Sequence, residues 1–131
     1  MKKKFALLIA IALLLTLTGN VLAATTFKNF KMTFTKKDSY TSIVSDTTSK
    51  AKTTSDYATM IITSSSSSKN CKYYIYKGSS VISRDHFETT TKGTWFFYTS
   101  DVAKGTRITL KGRPDSSVST CTITGSFGAG K

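Results

Sequence analysis

Apolar and polar residues alternate along most of the chain beyond residue 27, as in half-buried β-strands. In the clearest case Cys71, Tyr73 and Ile75 would share one face, and the three intervening residues the other. The pattern is clear in segments 30–35, 59–63, 71–76, 94–98, 107–111 and 120–124. Weaker segments occur at 39–44 and 81–82. We therefore predict an all-β fold, a small antiparallel β-sandwich of about seven to eight strands.

The composition between these segments supports strands joined by turns. Turn-forming residues occur at 78–79, 104–105 and 113–116, and no segment after residue 27 has a clear helical periodicity. Ser and Thr are plentiful, which is also typical of a disordered stalk. However, the chain has many aromatic and β-branched residues and a single proline, Pro114. We therefore assign the hydroxyl residues to the outward faces of strands.

Residues 1–23 have the features of a secretory signal peptide. Lys2, Lys3 and Lys4 precede an apolar run over 5–15. This run is shorter than the roughly 20 residues that a membrane-spanning helix needs. The small residues Val21 and Ala23 suit cleavage before Ala24 or one residue later. We expect residues 24–131 to form one domain, secreted to the extracellular side.

The sequence contains two cysteines, Cys71 and Cys121. Export exposes them to an oxidising compartment, and no third thiol competes, so we predict a disulfide between them. Both lie on the apolar faces of their predicted strands. The bridge is therefore expected inside the core, between two neighbouring strands or between the two sheets. The alternative is a pair of buried free thiols.

The formal net charge of +12 falls to +9 without Lys2, Lys3 and Lys4. The cations are distributed along the chain, which suits an anionic cell-wall polymer or an acidic membrane surface as partner. Candidate anion-binding residues in predicted loops are Lys36, Lys37, Lys50 and Lys52. Solubility and protection of edge strands explain the same charge equally well. We expect no nucleic-acid partner, because the sequence has no nucleic-acid-binding motif.

Aromatic residues fall on consecutive strand positions, so some rings must face outward. The candidate surface-binding aromatics are Tyr74, Tyr76, Trp95 and Phe97. An exposed row of such rings is a platform for sugars or partner proteins. Tyr also suits half-buried strands for purely structural reasons.

The sequence offers little catalytic or metal-binding chemistry. His86 is the only histidine. Its neighbours Ser83 and Asp85 lie too close in sequence to form a triad, because triads are assembled from distant segments. The seven acidic residues are not clustered. We therefore predict no catalytic residue, no metal and no cofactor.

Several segments together resemble a family of small exported proteins of Gram-positive, Bacillus-type bacteria that is catalogued as a domain of unknown function. The resembling features are the Lys-rich signal peptide, Tyr40, and segments 73–76, 81–83, 95–98, 105–106 and 123–125. The resemblance implies a secreted β-rich fold but no particular activity.

These observations favour a secreted, basic, non-catalytic protein that binds the anionic cell envelope or another extracellular partner. The alternative is a secreted cationic antimicrobial or bacteriocin-like factor, and a small hydrolase is a more distant third. The sequence does not specify the oligomeric state.

Overall fold

The computed structural model describes residues 27–35, 39–84, 86–88 and 93–130. Within these residues the chain forms strands and turns, without a helix. The strands are β1 Lys28–Phe34, β2 Thr41–Thr47, β3 Tyr57–Ser65, β4 Cys71–Lys77, β5 Ser80–Val81, β6 His86–Glu88, β7 Gly93–Phe97, β8 Arg107–Arg113 and β9 Cys121–Gly128. The predicted signal peptide, residues 1–23, lies outside the described part.

The strands form two antiparallel sheets. A four-stranded sheet has the order β1-β9-β3-β7, and a five-stranded sheet has the order β2-β8-β4-β5, with β6 also pairing with β4. β5 and β6 lie along the same edge of β4, because β5 pairs with Tyr76 and Lys77 while β6 pairs with residues 71–73. The other edge of β4 pairs with β8.

The core lies between the sheets and follows from the alternation in the sequence. In β4 and β8 every second residue is buried, because successive side chains of a strand point to opposite faces. The inward residues of both sheets belong to one apolar cluster. Gly112 leaves room for this packing, since a Cβ atom there would lie 2.9 Å from the Tyr73 ring and 3.0 Å from Phe34 of the opposite sheet.

The topology repeats with a period of 50 residues. Strands β2, β3 and β4 correspond to β7, β8 and β9, which follow them by about 50 residues. If each strand is replaced by its counterpart, the order β2-β8-β4 of one sheet becomes β7-β3-β9, which is the order found in the other sheet. The register repeats as well: Val44 pairs with Leu110, and the corresponding positions Thr94 and Met60 pair with each other. The fold is therefore pseudo-twofold symmetric.

Two pairs of corresponding residues meet each other, which locates the pseudo-twofold axis. Cys71 and Cys121, 50 positions apart, approach each other in the core. Lys52 and Val102 exchange two backbone hydrogen bonds of 2.7 and 2.9 Å. The axis passes between the members of each pair, so both pairs join the two halves of the chain.

The structure confirms the predicted all-β fold with two antiparallel sheets. All six clear segments are strands, and the weaker segments correspond to β2 and β5. The three-residue strand β6 was not predicted, because segment 86–88 is too short for an alternation to be recognised.

We predict that Gly125→Ala destabilises the fold. A Cβ atom at Gly125 would collide with the Ile61 carbonyl oxygen and lie 2.9 Å from the Phe30 ring. Overpacking of a core typically costs about 1–3 kcal/mol, and the backbone clash places this variant at or above the upper end. Urea denaturation monitored by circular dichroism measures the loss.

Gly93→Ala is the matched control. A Cβ atom at Gly93 meets nothing within 4 Å, so the free energy of unfolding should change by less than about 0.5 kcal/mol, as at ordinary surface positions. Equal stability of the two variants would contradict the packing around Gly125.

Candidate functional site

Tyrosines and cations occupy the outer face of the five-stranded sheet. We call this surface the tyrosine–cation face. Its members are Tyr40, Lys72, Tyr74, Tyr76, Lys111 and Arg113. On β4 and β8 these residues alternate with buried residues. Because the buried residues pack into the core on one side of the sheet, the alternating residues must face outward on the other side.

The three tyrosine rings of this face pack together. Tyr40 meets Tyr74 edge-on, with 5.2 Å between ring centroids. The Tyr76 ring lies 6.4 Å from both. Partial burial, followed by the neighbouring Tyr40 and Tyr74, raises the pKa of Tyr76 above its ordinary value. The Tyr76 hydroxyl therefore stays protonated at neutral pH and can donate a hydrogen bond.

A cation lies beside each ring of the tyrosine–cation face. Lys111 Nζ is 4.2 Å from the Tyr76 centroid, and Lys72 Nζ is 5.5 Å from that of Tyr74. The Arg113 guanidinium carbon is 5.5 Å from the Tyr40 centroid. Such cation–π contacts contribute about 0.5–1 kcal/mol each at exposed sites.

The register also places two cations opposite each other. Lys72 pairs directly with Arg113 across β4 and β8, and like charges in such a pair are destabilising. Two hydrogen bonds from Ser117 are the main cause of the lowered pKa of Asp115, which follows β8, and the nearby Lys69 and Arg113 lower it further.

A second aromatic group, which we call the aromatic corner, lies on the outer face of the four-stranded sheet. It consists of Tyr57, Trp95 and Phe97, which are 39%, 60% and 48% exposed. Tyr57 stacks on Trp95 with 5.1 Å between centroids and contacts Phe97 at 5.6 Å. Tyr57 and Phe97 are a direct cross-strand pair. The corner is thus a continuous apolar patch.

The four aromatics predicted as a surface do not form one row. Tyr74 and Tyr76 belong to the tyrosine–cation face, whereas Trp95 and Phe97 belong to the opposite outer face of the molecule. Tyr40 and Tyr57 complete the two clusters and were not among the aromatics predicted to bind a surface. The alternation of β3 could have predicted that Tyr57 faces outward, because Tyr57 lies two residues before the outward Thr59.

The predicted anion-binding lysines also separate. Lys50 is exposed, whereas Lys36 and Lys37 lie outside the described residues. Lys52 is only 1% exposed, because its backbone pairs with Val102 at the pseudo-twofold axis. An external polyanion therefore cannot reach it in this structure.

The buried ammonium of Lys52 has no hydrogen-bond partner among the described residues. Burial lowers its pKa from the ordinary value, and the nearby Asp56 carboxylate opposes this shift. Asp56 itself accepts a 2.8 Å hydrogen bond from the Thr53 amide, the main cause of its own lowered pKa. Lys52 is thus a candidate destabilising group.

The two cysteines meet across the core. Cys71 in β4 and Cys121 in β9 belong to different sheets, and their Sγ atoms are 3.7 Å apart. That separation is longer than the roughly 2.05 Å of a disulfide bond, so the structure contains two buried thiols. Burial, and secondly Cys121, raise the pKa of the Cys71 thiol to about 12. The thiolate is therefore strongly disfavoured in the folded state.

The residues around the single histidine have structural partners. His86 Nε2 lies 3.3 Å from the Thr94 hydroxyl, and the Ser83 hydroxyl accepts a 2.8 Å hydrogen bond from the Ile75 amide. Asp85 lies outside the described residues. In the part of the chain that the structure describes, no three His, Cys, Asp or Glu side chains are grouped to hold a metal ion. No helix long and apolar enough to cross a membrane occurs there.

Comparison with known proteins gives no further indication of function. No protein-family model matches the chain, and no curated protein and no solved structure shows a significant similarity to it.

We predict that Lys52→Met stabilises the protein at pH 7. Because the pKa of Lys52 is lower in the folded state, the unfolded chain binds the proton more tightly, and stability rises with pH toward 10.5. Replacing the unpartnered ammonium should increase the free energy of unfolding by about 1–3 kcal/mol. It should also remove the part of the pH dependence that Lys52 causes below pH 10.

Urea denaturation between pH 7 and 9.5 tests this prediction. Lys50→Met, at an exposed position nearby, is the control and should leave stability nearly unchanged. A less stable Lys52→Met variant would show that the ammonium is well solvated or paired.

Proposed function

We propose that this protein is an exported, non-catalytic binding protein that holds an anionic polymer of the cell envelope against its tyrosine–cation face. The observation that carries this proposal is the direct pairing of Lys72 with Arg113 beside three clustered tyrosines. Cations and tyrosine hydroxyls concentrated at one place on a sheet favour an anionic ligand.

The chemistry of the tyrosine–cation face suits a chain of phosphate groups. Arg113 presents a planar set of N–H donors, Lys72 and Lys111 supply point charges, and tyrosine hydroxyls can donate further hydrogen bonds. Teichoic acids and acidic phospholipids are the polyanions that an exported protein meets. The net charge of +9 that remains without Lys2, Lys3 and Lys4 would accelerate encounter with them.

The contacts of His86 and Ser83 support a non-catalytic role. His86 contacts the Thr94 hydroxyl, and Ser83 accepts a hydrogen bond from the Ile75 backbone amide. The Ser83 contact pairs a hydroxyl with a backbone amide, and the Thr94 hydroxyl beside His86 is only 5% exposed, so a substrate has poor access to it.

The aromatic corner favours a second candidate, a cationic antimicrobial or bacteriocin-like factor. Exposed aromatic rings such as Trp95 and Phe97 on a basic protein can enter the interface of an anionic membrane. Release of a dye from anionic vesicles distinguishes this activity from simple attachment to cell walls.

We predict that replacing Lys72, Lys111 and Arg113 together by Gln weakens binding to teichoic-acid-containing cell walls about tenfold or more, equivalent to at least about 1.4 kcal/mol. Binding of the wild-type protein should also weaken steeply with salt, because 1 M salt reduces the screening length to about 3 Å. Co-sedimentation with isolated walls measures both effects, and walls stripped of anionic polymers should bind little protein.

The matched control replaces Lys31, Lys50 and Lys104 by Gln. All three are exposed and lie outside the tyrosine–cation face, so the change in net charge is identical. If both triple variants lose the same affinity, total charge rather than this face governs attachment. Attachment that persists in 1 M salt would contradict electrostatic binding.

We also infer that Cys71 and Cys121 are joined in the exported protein. The proximity of their Sγ atoms, 3.7 Å apart in the core, supports this inference. Closing a loop of about 50 residues would restrict the unfolded chain by about 4 kcal/mol on the loop-entropy model.

Intact mass spectrometry tests the bond. The non-reduced exported protein should be about 2 Da lighter than the reduced form, because two thiol hydrogens are lost. Reduction should lower the denaturation midpoint of the wild type but not that of a Cys71→Ala/Cys121→Ala double variant. Two thiols that alkylate after unfolding without a reductant would overturn the inference.

A further inference from the structure

The geometry points to a second binding site, for a carboxylated sugar of an acidic polysaccharide, at the aromatic corner and the cleft beside it. This site lies on the opposite face from the tyrosine–cation face and does not rest on the function proposed for that face. Its occupant is a uronic-acid residue, a sugar ring that bears one carboxylate.

The aromatic corner supplies the apolar part of the site. Trp95 and Phe97 alternate with the buried Thr94, Phe96 and Tyr98 along the end of β7, so the core holds their backbone in place. Tyr57 supports both rings from β3. Their exposure is therefore a fixed property of the sheet. The C–H face of a sugar ring packs against such aromatic surfaces.

The cleft supplies the polar part. It has a volume of about 450 Å³ and is lined by Thr54, Arg84, Phe97, Tyr98 and Thr99. This volume lies within the range of about 300–1,000 Å³ that is usual for small-molecule sites. Phe97 belongs both to the cleft and to the aromatic corner, so the two are continuous.

Segment 82–84 sets the position of Arg84. Ile82 donates a backbone hydrogen bond to Ile75 in the five-stranded sheet and accepts one from Thr99, just beyond β7. Ser83 also pairs with Tyr98. The chain before Arg84 is therefore held from both sheets, which fixes the backbone that carries this side chain beside Phe97.

The combination of groups selects the occupant. An exposed aromatic patch, two threonines and one guanidinium match the C–H face, the hydroxyls and the carboxylate of a uronic acid. Arg84 is the only charged residue among the described residues that line the cleft. A guanidinium binds a carboxylate by two parallel hydrogen bonds. A purely apolar partner would leave the cleft unfilled.

Trp95 is the only tryptophan of the sequence and is 60% exposed, so its fluorescence reports directly on this site. We predict that titration with oligogalacturonate quenches the emission and shifts it to shorter wavelength with saturation. Methyl-esterified oligogalacturonate, which lacks the carboxylate charges, should bind at least about tenfold more weakly.

Arg84→Gln and Phe97→Ala test the two parts of the site while Trp95 remains as reporter. Each should raise the Kd for oligogalacturonate about tenfold. Lys31→Gln, exposed on β1 at the edge of the four-stranded sheet opposite β7, is the control with the same change in charge and should leave the Kd unchanged. Circular dichroism and urea denaturation establish that each variant is folded, and isothermal titration calorimetry provides a second measure of binding.

Four outcomes would overturn the inference. The first is equal binding of the esterified and acidic oligomers together with no effect of Arg84→Gln. The second is an equal response to polyglutamate, which has carboxylates but no sugar. The third is a response to neutral lipid vesicles and none to the oligomers. The fourth is no spectral change and no heat with oligogalacturonate. Loss of cell-wall attachment through the tyrosine–cation face would leave all these results unchanged, so the two proposals fail separately.

Discussion

The structure depends on burying one face of each sheet against the other. This packing fixes the phase of every strand, because moving a strand by one residue would expose its whole apolar set. Gly112 and Gly125 show how tight the arrangement is, since neither position has room for a Cβ atom. The outward side chains are then fixed as well. Both candidate binding surfaces are therefore consequences of the core.

The pseudo-twofold repeat gives the molecule two similar outer faces, and the side chains make them different. Tyr74 and Lys111 on one face correspond to Thr124 and Ile61 on the other. One face therefore carries tyrosines and a cluster of cations, whereas the other carries mainly Thr and Ser, with Lys31 on the edge strand β1 and an uncharged aromatic corner at the opposite edge. Such a division allows one small domain to contact two kinds of ligand, or one polysaccharide that offers both phosphate and sugar.

Polar contacts connect the two sheets in addition to the apolar core. The Tyr98 hydroxyl donates to the Ala129 carbonyl at 2.7 Å, and the Ala129 amide donates to Asp46 at 2.9 Å. Asp46 also forms an ion pair with Lys28 at 3.4 Å. The chain of contacts joins strands β1 and β2 of different sheets. Burial raises the pKa of Tyr98, so this hydroxyl remains a donor at neutral pH. Lys52 is the exception, a buried cation whose place is set by a backbone pairing at the axis.

The sequence by itself determined the fold class, because a period of two in hydrophobicity is a local property that needs no knowledge of the partner strand. It also placed Cys71 and Cys121 on inward faces. It did not reveal the 50-residue repeat, whose halves share few identical residues beyond pairs such as Thr59 and Thr109. Only the tertiary structure decided which strands belong to which sheet. That assignment divided the aromatics between opposite faces, buried Lys52, and brought Arg84 beside Phe97. These relations arise from long-range pairing, which strand periodicity does not encode.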